Sequence, residues 1–311
     1  MTDGPVNPIP HRQISPGIQF LILFGLLISL IIIGAEIGKI IIESSFGAGS
    51  FEAVLKSDGS SEKSRSALWI FQLISTTLPI LLCPVIFSYV VVREPDNYLK
   101  TTFEFPWLLI VVVFLVMILS SPFMEFISNI NEGFNLPKWM RDEEDSLKKL
   151  SDNMMQMKTV GSMIFNLVFI GLVTAIAEEF LFRGALQTIF VKWTKNKHVA
   201  VWLTAILFSA FHMEFFGFIP RLFLGVLFGY FVAWSGSIWP SVWAHFVNNG
   251  TVVVITYLAQ SKIWDINPDD QHVFNTLMYI ISFIITIFLL FIYRYIAVKR
   301  QLADINGEEL D

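Results

Sequence analysis

The sequence has a single cysteine and few charged residues, and both shortages exclude classes of protein. Because Cys83 has no second cysteine to pair with, neither an intrachain disulfide nor a cysteine-rich metal cluster can form. Charged residues make up only 15% of the 311, and the net charge of -5 offers no broad basic surface to a nucleic acid. Hydrophobic residues make up 54%, and the mean hydropathy is +0.63, more than a water-soluble surface tolerates. The composition therefore indicates a protein whose partner is the lipid bilayer and not nucleic acid.

Long apolar runs predict an all-α, polytopic membrane protein with about eight transmembrane helices. A bilayer core of about 30 Å needs roughly 20 helical residues to cross it, and the runs have about that length. They are continuously apolar and do not alternate with polar residues, which favours helices over a β-barrel. The predicted spans are 17–41, 67–92, 105–129, 159–183, 198–216, 219–236, 238–260 and 273–297.

The order of runs and connectors predicts three regions. Residues 1–158 form an N-terminal region with three spans and polar connectors. The charge pattern of the last connector predicts a solvated amphipathic helix. Residues 159–260 form a core that contains the polar residues discussed next, and residues 261–311 form the last span and a polar tail. The first run is too long for a signal peptide, so we expect it to be retained. A chain of this kind suits a bacterial inner membrane.

The strongest local anomaly is a pair of glutamates inside an apolar run. Nineteen uncharged residues from Thr159 precede Glu178 and Glu179, and Arg183 follows four positions later. Ionisable groups at membrane depth are costly and are rarely retained without a use. Since Glu179 and Arg183 are i,i+4 neighbours, they can form a supporting ion pair, which leaves Glu178 to act as a general base toward water. The alternative is that the pair only marks the end of a span among lipid headgroups.

Two further polar sets lie on later spans. His212 closes the fifth span, four residues after Phe208, and His245 and Asn249 share one face of the seventh. In a dry helix, an imidazole and a carboxamide must find partners, and together they could donate to one developing oxyanion. Read singly, His212 could be an interfacial residue, and the His245 and Asn249 pair could join helices by hydrogen bonds.

Taken together, the three sets predict an intramembrane endopeptidase without a cofactor. A zinc-dependent protease is one alternative, because Glu178, His212 and His245 are a ligand set that catalytic zinc accepts. We prefer the metal-free reaction, since the sequence has no H-E-x-x-H helix and an asparagine suits an oxyanion better than zinc. A transporter or proton relay is the other alternative, although neither inverted repeats nor matched broken helices are visible.

At these residues the chain resembles the CPBP family of intramembrane proteases, also called Abi, which includes the type II CAAX prenyl endopeptidases. The resemblance covers roughly residues 160–259. Its three motifs correspond here to EEFLFRG with Glu178, Glu179 and Arg183, to FSAFH with Phe208 and His212, and to HFVNN with His245 and Asn249.

The resemblance implies a role for each matched residue. Glu178 and His212 would hold the attacking water, and His245 and Asn249 would form the oxyanion site. The supporting positions would be Glu179, Arg183 and Phe208. The implied fold is an eight-helix membrane core, and the implied partners are the bilayer and a peptide or membrane-protein substrate.

One geometric expectation follows from the predicted span boundaries. If the fourth span ends near Arg183, Glu178 is shallow, whereas His212 lies about 20 Å along its own span. A tilted or broken fifth helix, or an amphipathic arm at 185–193, would then be needed to bring the two together.

Overall fold

The computed structural model describes residues 14–57, 59–265 and 272–306, and within these ranges it contains helices and no strand. The first thirteen residues and the last five residues of the predicted polar tail lie outside the described part. The all-α class predicted from the sequence is confirmed. An apolar chain in lipid must satisfy its backbone hydrogen bonds within each segment, and a helix does so.

The described residues form twelve helices, which are numbered here in chain order. Four π-helical segments lie within two of them, α3 and α8. They are α1 Pro16–Phe46, α2 Ser50–Leu55, α3 Glu62–Val92, α4 Pro95–Leu99, α5 Leu108–Leu119, α6 Ser121–Glu132, α7 Lys138–Met154, α8 Val160–Thr194, α9 Lys197–Phe211, α10 Phe218–Ser235, α11 Trp239–Gln260 and α12 Thr276–Asn306.

The predicted count of eight spans is not confirmed. Among the described residues, five helices are long and apolar enough to cross a membrane, namely α1, α3, α8, α10 and α12. The α5 and α6 pair is bent by 46° and makes a sixth if it is one span. The α9 helix has only 15 residues, fewer than the roughly 20 that a bilayer requires. The α11 helix is long enough, with 22 residues, but its polar side chains make it less apolar than the five spanning helices.

The α8 helix is longer than the sequence predicted, and its length explains how the polar residues meet. It continues past Arg183 to Thr194, so the predicted arm at 185–193 is part of the same helix. Lys195 ends α8 in a left-handed conformation, and the Asn196 side chain then caps α9. Glu178 lies about 24 Å before this turn, and His212 lies about 22 Å after it, at helical rise. Because the two helices are antiparallel and these lengths are nearly equal, the two residues lie at the same depth.

Close approach of α10 to its neighbours depends on two glycines. A Cβ atom on Gly229 would lie 2.9 Å from Gln187 Oε1 of α8 and 2.9 Å from Val201 Cγ1 of α9. A Cβ atom on Gly225 would lie 3.0 Å from the Cβ atom of Ala205. The small-residue pattern thus lets three helices of one chain pack closely.

The α11 helix runs antiparallel to α8 and starts against the connector after α4. The amide of Ile238 donates to the Lys100 carbonyl at 3.0 Å, and the Ser237 hydroxyl donates to the Thr102 carbonyl at 2.6 Å. The same stretch of chain packs on α8, where Leu99 contacts Gly184. The α11 helix therefore starts at the level of Gly184. His245 lies six residues after Trp239, the first residue of α11, and Glu178 lies six residues before Gly184, so His245 lies alongside Glu178.

Candidate active site

The structure brings one carboxylate oxygen and two imidazole nitrogens together at the centre of the helical core. Glu178 Oε2 lies 3.7 Å from His212 Nε2 and 3.8 Å from His245 Nε2. Glu178 is 8% exposed, and its Oε2 atom is buried without a hydrogen-bond partner among the described residues. Side chains from α8, from the residue that follows α9 and from α11 thus face one another at distances slightly longer than a hydrogen bond.

The orientation of His212 is set by the last turn of α9. Its Nδ1 atom lies 2.8 Å from the Phe208 carbonyl oxygen. Because a carbonyl only accepts, Nδ1 carries the hydrogen, and the Nε2 atom of neutral His212 presents a lone pair toward Glu178. The Phe208 ring meets both imidazoles edge-on, at 5.0 Å from His212 and 5.8 Å from His245. Phe208 therefore packs against both imidazoles.

The second imidazole is held by Glu179. The Nδ1 atom of His245 donates to Glu179 Oε1 at 2.9 Å, and Arg183 Nη1 donates to the same oxygen at 2.7 Å. The Ser241 hydroxyl donates to the other oxygen, Oε2. Glu179 and Arg183 are fully buried, and the ion pair predicted between them is present. As with His212, the hydrogen on Nδ1 directs the Nε2 lone pair of His245 toward Glu178.

Arg183 is enclosed by aromatic rings and a backbone carbonyl. Its Nη2 atom donates to the Gly225 carbonyl at 3.1 Å. The guanidinium lies 4.3 Å from the centre of the Phe208 ring and 5.2 Å from that of Phe228. Such contacts help to compensate for the loss of water around a buried cation.

Asn249 lies one turn beyond His245 on the same face of α11. Its Nδ2 atom donates to the Ile170 carbonyl at 3.1 Å, and its Oδ1 atom accepts from Asn248 Nδ2 at 3.1 Å. Since Nδ2 carries two hydrogens, the bond to Ile170 uses one of them. Asn249 lines the same cavity as Glu178, His212 and His245.

That cavity has a volume of about 590 Å³ and extends from the three facing groups to the helix α7. The amphipathic helix α7 forms part of its wall through Leu147, Leu150 and Met154. The charged face of α7 is exposed, as the sequence predicted, but its apolar face covers the cavity. A space that helices wall in part therefore lies next to Glu178.

Sequence reasoning missed Ser241 and Phe228. Ser241 precedes His245 by four residues, so the i,i+4 rule that linked His245 with Asn249 could have found it. Phe228 stacks on the His245 ring at 5.1 Å, and only the packing of α10 against α11 reveals this contact. The sequence reasoning also missed the π-helical segments Leu167–Val173 and Phe180–Leu186, which flank the two glutamates. Such segments often occur at functional sites.

A metal site was the main alternative at these residues. Within the described ranges, no group of three or more His, Cys, Asp or Glu side chains is arranged to hold a metal ion. Glu178 Oε2 lies 3.7 and 3.8 Å from the Nε2 atoms of His212 and His245. Both distances exceed the distance of about 3.4 Å between two ligand atoms of a tetrahedral zinc ion with bonds of about 2.1 Å. The three side chains would have to move inward to bind zinc.

Comparison with known proteins finds matches for part of the chain. A 114-residue part of the chain is 31% identical to the uncharacterized protein YpbD of Bacillus subtilis (strain 168), a match that covers 35% of this chain and 53% of YpbD. The chain thus spans about half the length of this relative. No solved structure matches the chain. Residues 160–251 match the family model described as type II CAAX prenyl endopeptidase Rce1-like, so the resemblance seen in the sequence is confirmed for this segment.

Proposed function

We propose that this integral membrane protein is an intramembrane endopeptidase in which Glu178 activates a water molecule. The observation that supports this most directly is the convergence of Glu178 Oε2 with the Nε2 atoms of His212 and His245 beside a cavity. The match of residues 160–251 to an endopeptidase family model supports the same reaction class.

The three facing groups favour a water molecule as their common partner. With both Nδ1 atoms protonated, the two Nε2 atoms and the carboxylate oxygen are all acceptors. A water molecule supplies two O–H donors and can bond to two of them at once. We assign these two to Glu178 and His212, because the more accessible His212 side chain, 25% exposed, lies nearer to bulk water.

Hydrolysis then proceeds by ordinary acid-base steps. Glu178 takes a proton from the water as its oxygen adds to the carbonyl carbon of the scissile peptide bond. The C–N bond of the tetrahedral intermediate breaks, and the proton held by Glu178 passes to the leaving nitrogen. The products are a carboxylic acid and an amine, and the enzyme returns to its starting protonation state.

His245 and Asn249 are proposed to stabilise the negative oxygen of the intermediate. Asn249 has one N–H beyond the bond to Ile170, whereas His245 can donate from Nε2 only as an imidazolium. In the reactive form, His245 has therefore taken up a proton from bulk water before the substrate binds, and it keeps that proton through the cycle. The Glu179 carboxylate stabilises that charged form through the bond to Nδ1. Glu179 therefore acts on the reaction through His245, and the buried Arg183 keeps Glu179 ionised.

A substrate of the CAAX type is proposed from the description of the matched family. Such a substrate is a peptide or a membrane-attached protein that enters the cavity from the lipid or from its surface. Because the related YpbD is a bacterial protein, we place the enzyme in a bacterial inner membrane.

A zinc-dependent form of the same hydrolysis is the second candidate. One observation favours it: each Nε2 lone pair faces Glu178 while each Nδ1 is held by a second group, as histidine ligands of metals are. In that case Glu178, His212 and His245 would hold the ion, which would lower the pKa of its bound water.

The proposal is tested with purified protein in detergent, using quenched peptides with and without a lipidated cysteine, each with and without a chelator. We expect cleavage by the wild-type protein in both conditions and none by Glu178→Gln, whose amide cannot take a proton from water. Thermal unfolding of the variant should match the wild type, which separates lost chemistry from lost folding. Loss of wild-type cleavage on chelation would favour zinc, and undiminished cleavage by Glu178→Gln would reject the general-base assignment.

A further inference from the structure

The connection that carries His212 has little regular structure of its own. The His212 loop, residues 212–217, joins α9 to α10, and its second residue, Met213, has a positive φ of 57°. Backbone groups that are buried in such a loop need partners from elsewhere. The position of His212 relative to Glu178 therefore depends on what holds this loop as well as on the last turn of α9.

The first such group is Asn131, near the end of α6. Asn131 is only 3% exposed, and its Nδ2 atom donates to the Phe215 carbonyl at 2.9 Å and to the Phe216 carbonyl. Its Oδ1 atom accepts from the Ile219 amide at 3.3 Å. Both ends of this carboxamide thus bond to backbone within or just after the His212 loop.

The second group is Glu144, on α7. Its Oε2 atom accepts from the Phe215 amide at 2.7 Å and from the Phe216 amide at 3.4 Å. The bond to Phe215 is charge-assisted and short, which makes it stronger than a bond between neutral groups. On the same helix, Trp139 packs edge-on against the Phe215 ring at 5.9 Å.

We propose that Asn131 and Glu144 are positioning residues that clamp the His212 loop and hold the His212 imidazole at Glu178. As far as it concerns catalysis, the inference rests on the proposed function. Both residues lie outside the family-matched segment 160–251, so the N-terminal region would supply part of the working site. A displacement of about 1 Å at a catalytic group can cost on the order of 10²-fold in rate.

Kinetics of two matched variants test the catalytic part of the proposal. Glu144→Ala removes the acceptor for the two loop amides, whereas Glu143→Ala removes an exposed carboxylate from the adjacent position of the same helix. We expect kcat to fall about 10- to 100-fold in Glu144→Ala with KM changed less than about threefold, and Glu143→Ala to match the wild type. Asn131→Asp, which replaces two donors by an acceptor facing two carbonyls, should show the same fall in kcat with a similarly small change in KM.

Hydrogen exchange tests the clamp without requiring any cleavage. The Phe215 amide should exchange at least about tenfold faster in Glu144→Ala, the change expected for loss of a charge-assisted bond, and unchanged in Glu143→Ala. Unchanged exchange in Glu144→Ala and Asn131→Asp would overturn the clamp. Faster exchange with wild-type kcat would overturn the positioning role and leave the endopeptidase intact. If the wild-type protein cleaves no peptide, the proposed function and the catalytic role fail together, and the exchange rates alone decide whether the loop is clamped.

Discussion

At the scale of single residues, Asn249 is the proposed oxyanion donor that is easiest to remove. Asn249→Ala should lower kcat on the order of 10² to 10³-fold, as loss of one oxyanion donor typically does, with little change in KM. Steady-state kinetics on the best peptide substrate would measure both values. Thr251→Ala is the control, since the Thr251 hydroxyl bonds only one turn back along α11, to the Val247 carbonyl at 2.7 Å. Equal losses in the two variants would point to damage to the helix instead of a lost donor.

The buried ion pair beneath His245 gives a second prediction at this scale. Glu179→Gln should destabilise the protein by about 3–5 kcal/mol, because it leaves the Arg183 charge buried without a counter-ion. The double variant Glu179→Gln with Arg183→Met should regain much of that stability, since no buried charge remains. Activity should stay low in both variants, because His245 loses the carboxylate that stabilises its imidazolium form. Recovery of activity together with stability would show that Glu179 acts only on folding.

At the scale of helices, the contact between α1 and α3 depends on Gly34. A Cβ atom there would overlap the Ile74 carbonyl oxygen and lie 3.1 Å from the Ser75 Cα atom, so backbone would have to move. Gly34→Ala should therefore lower the thermal midpoint by several degrees. Gly25→Ala, on the same helix, is the matched control, because a Cβ atom at Gly25 meets nothing within 4 Å in the part of the chain that the structure describes. If the two variants melt alike, close packing at Gly34 does not support the fold.

How much could be predicted from the sequence also differs from helix to helix. The all-α class and the polar positions followed from apolar runs interrupted by Glu178, His212 and His245, since an ionisable residue in such a run is conspicuous. The extent of α8 did not follow, because Arg183 resembles the end of a span, whereas here Glu179 and Gly225 bind it inside the protein. The contacts of Asn131 were also beyond the sequence, since they join backbone groups more than 80 residues away.

At the scale of the whole molecule, the candidate site is assembled by two parts of the chain. The helices α8 to α11 supply every group proposed to act on the peptide bond, and residues 160–251 of this part match the endopeptidase family. The preceding region supplies the apolar face of α7 over the cavity and the Asn131 and Glu144 contacts. For the proposed function, the cavity must admit a peptide yet limit water, and a wall built from a separate amphipathic helix suits both needs.

The stability of the whole molecule should also depend on pH through Lys100, in the connector that supports the start of α11. Burial, with a smaller effect from the nearby Lys192 charge, lowers the pKa of the Lys100 amine from 10.5 to about 8. Between these two values the unfolded chain binds more protons than the folded protein, so stability rises with pH across that window. Below about pH 8 the amine is charged in both states, and its full destabilising effect is present.

Lys100→Met should therefore raise the melting temperature by a few degrees at pH 7, and it keeps the backbone bond to Ile238. The gain should disappear near pH 10.5, because the Lys100 amine of the folded wild-type protein is neutral there. Lys56→Met, at an exposed position, is the control, and a gain in Lys100→Met that is the same at every pH would contradict the prediction.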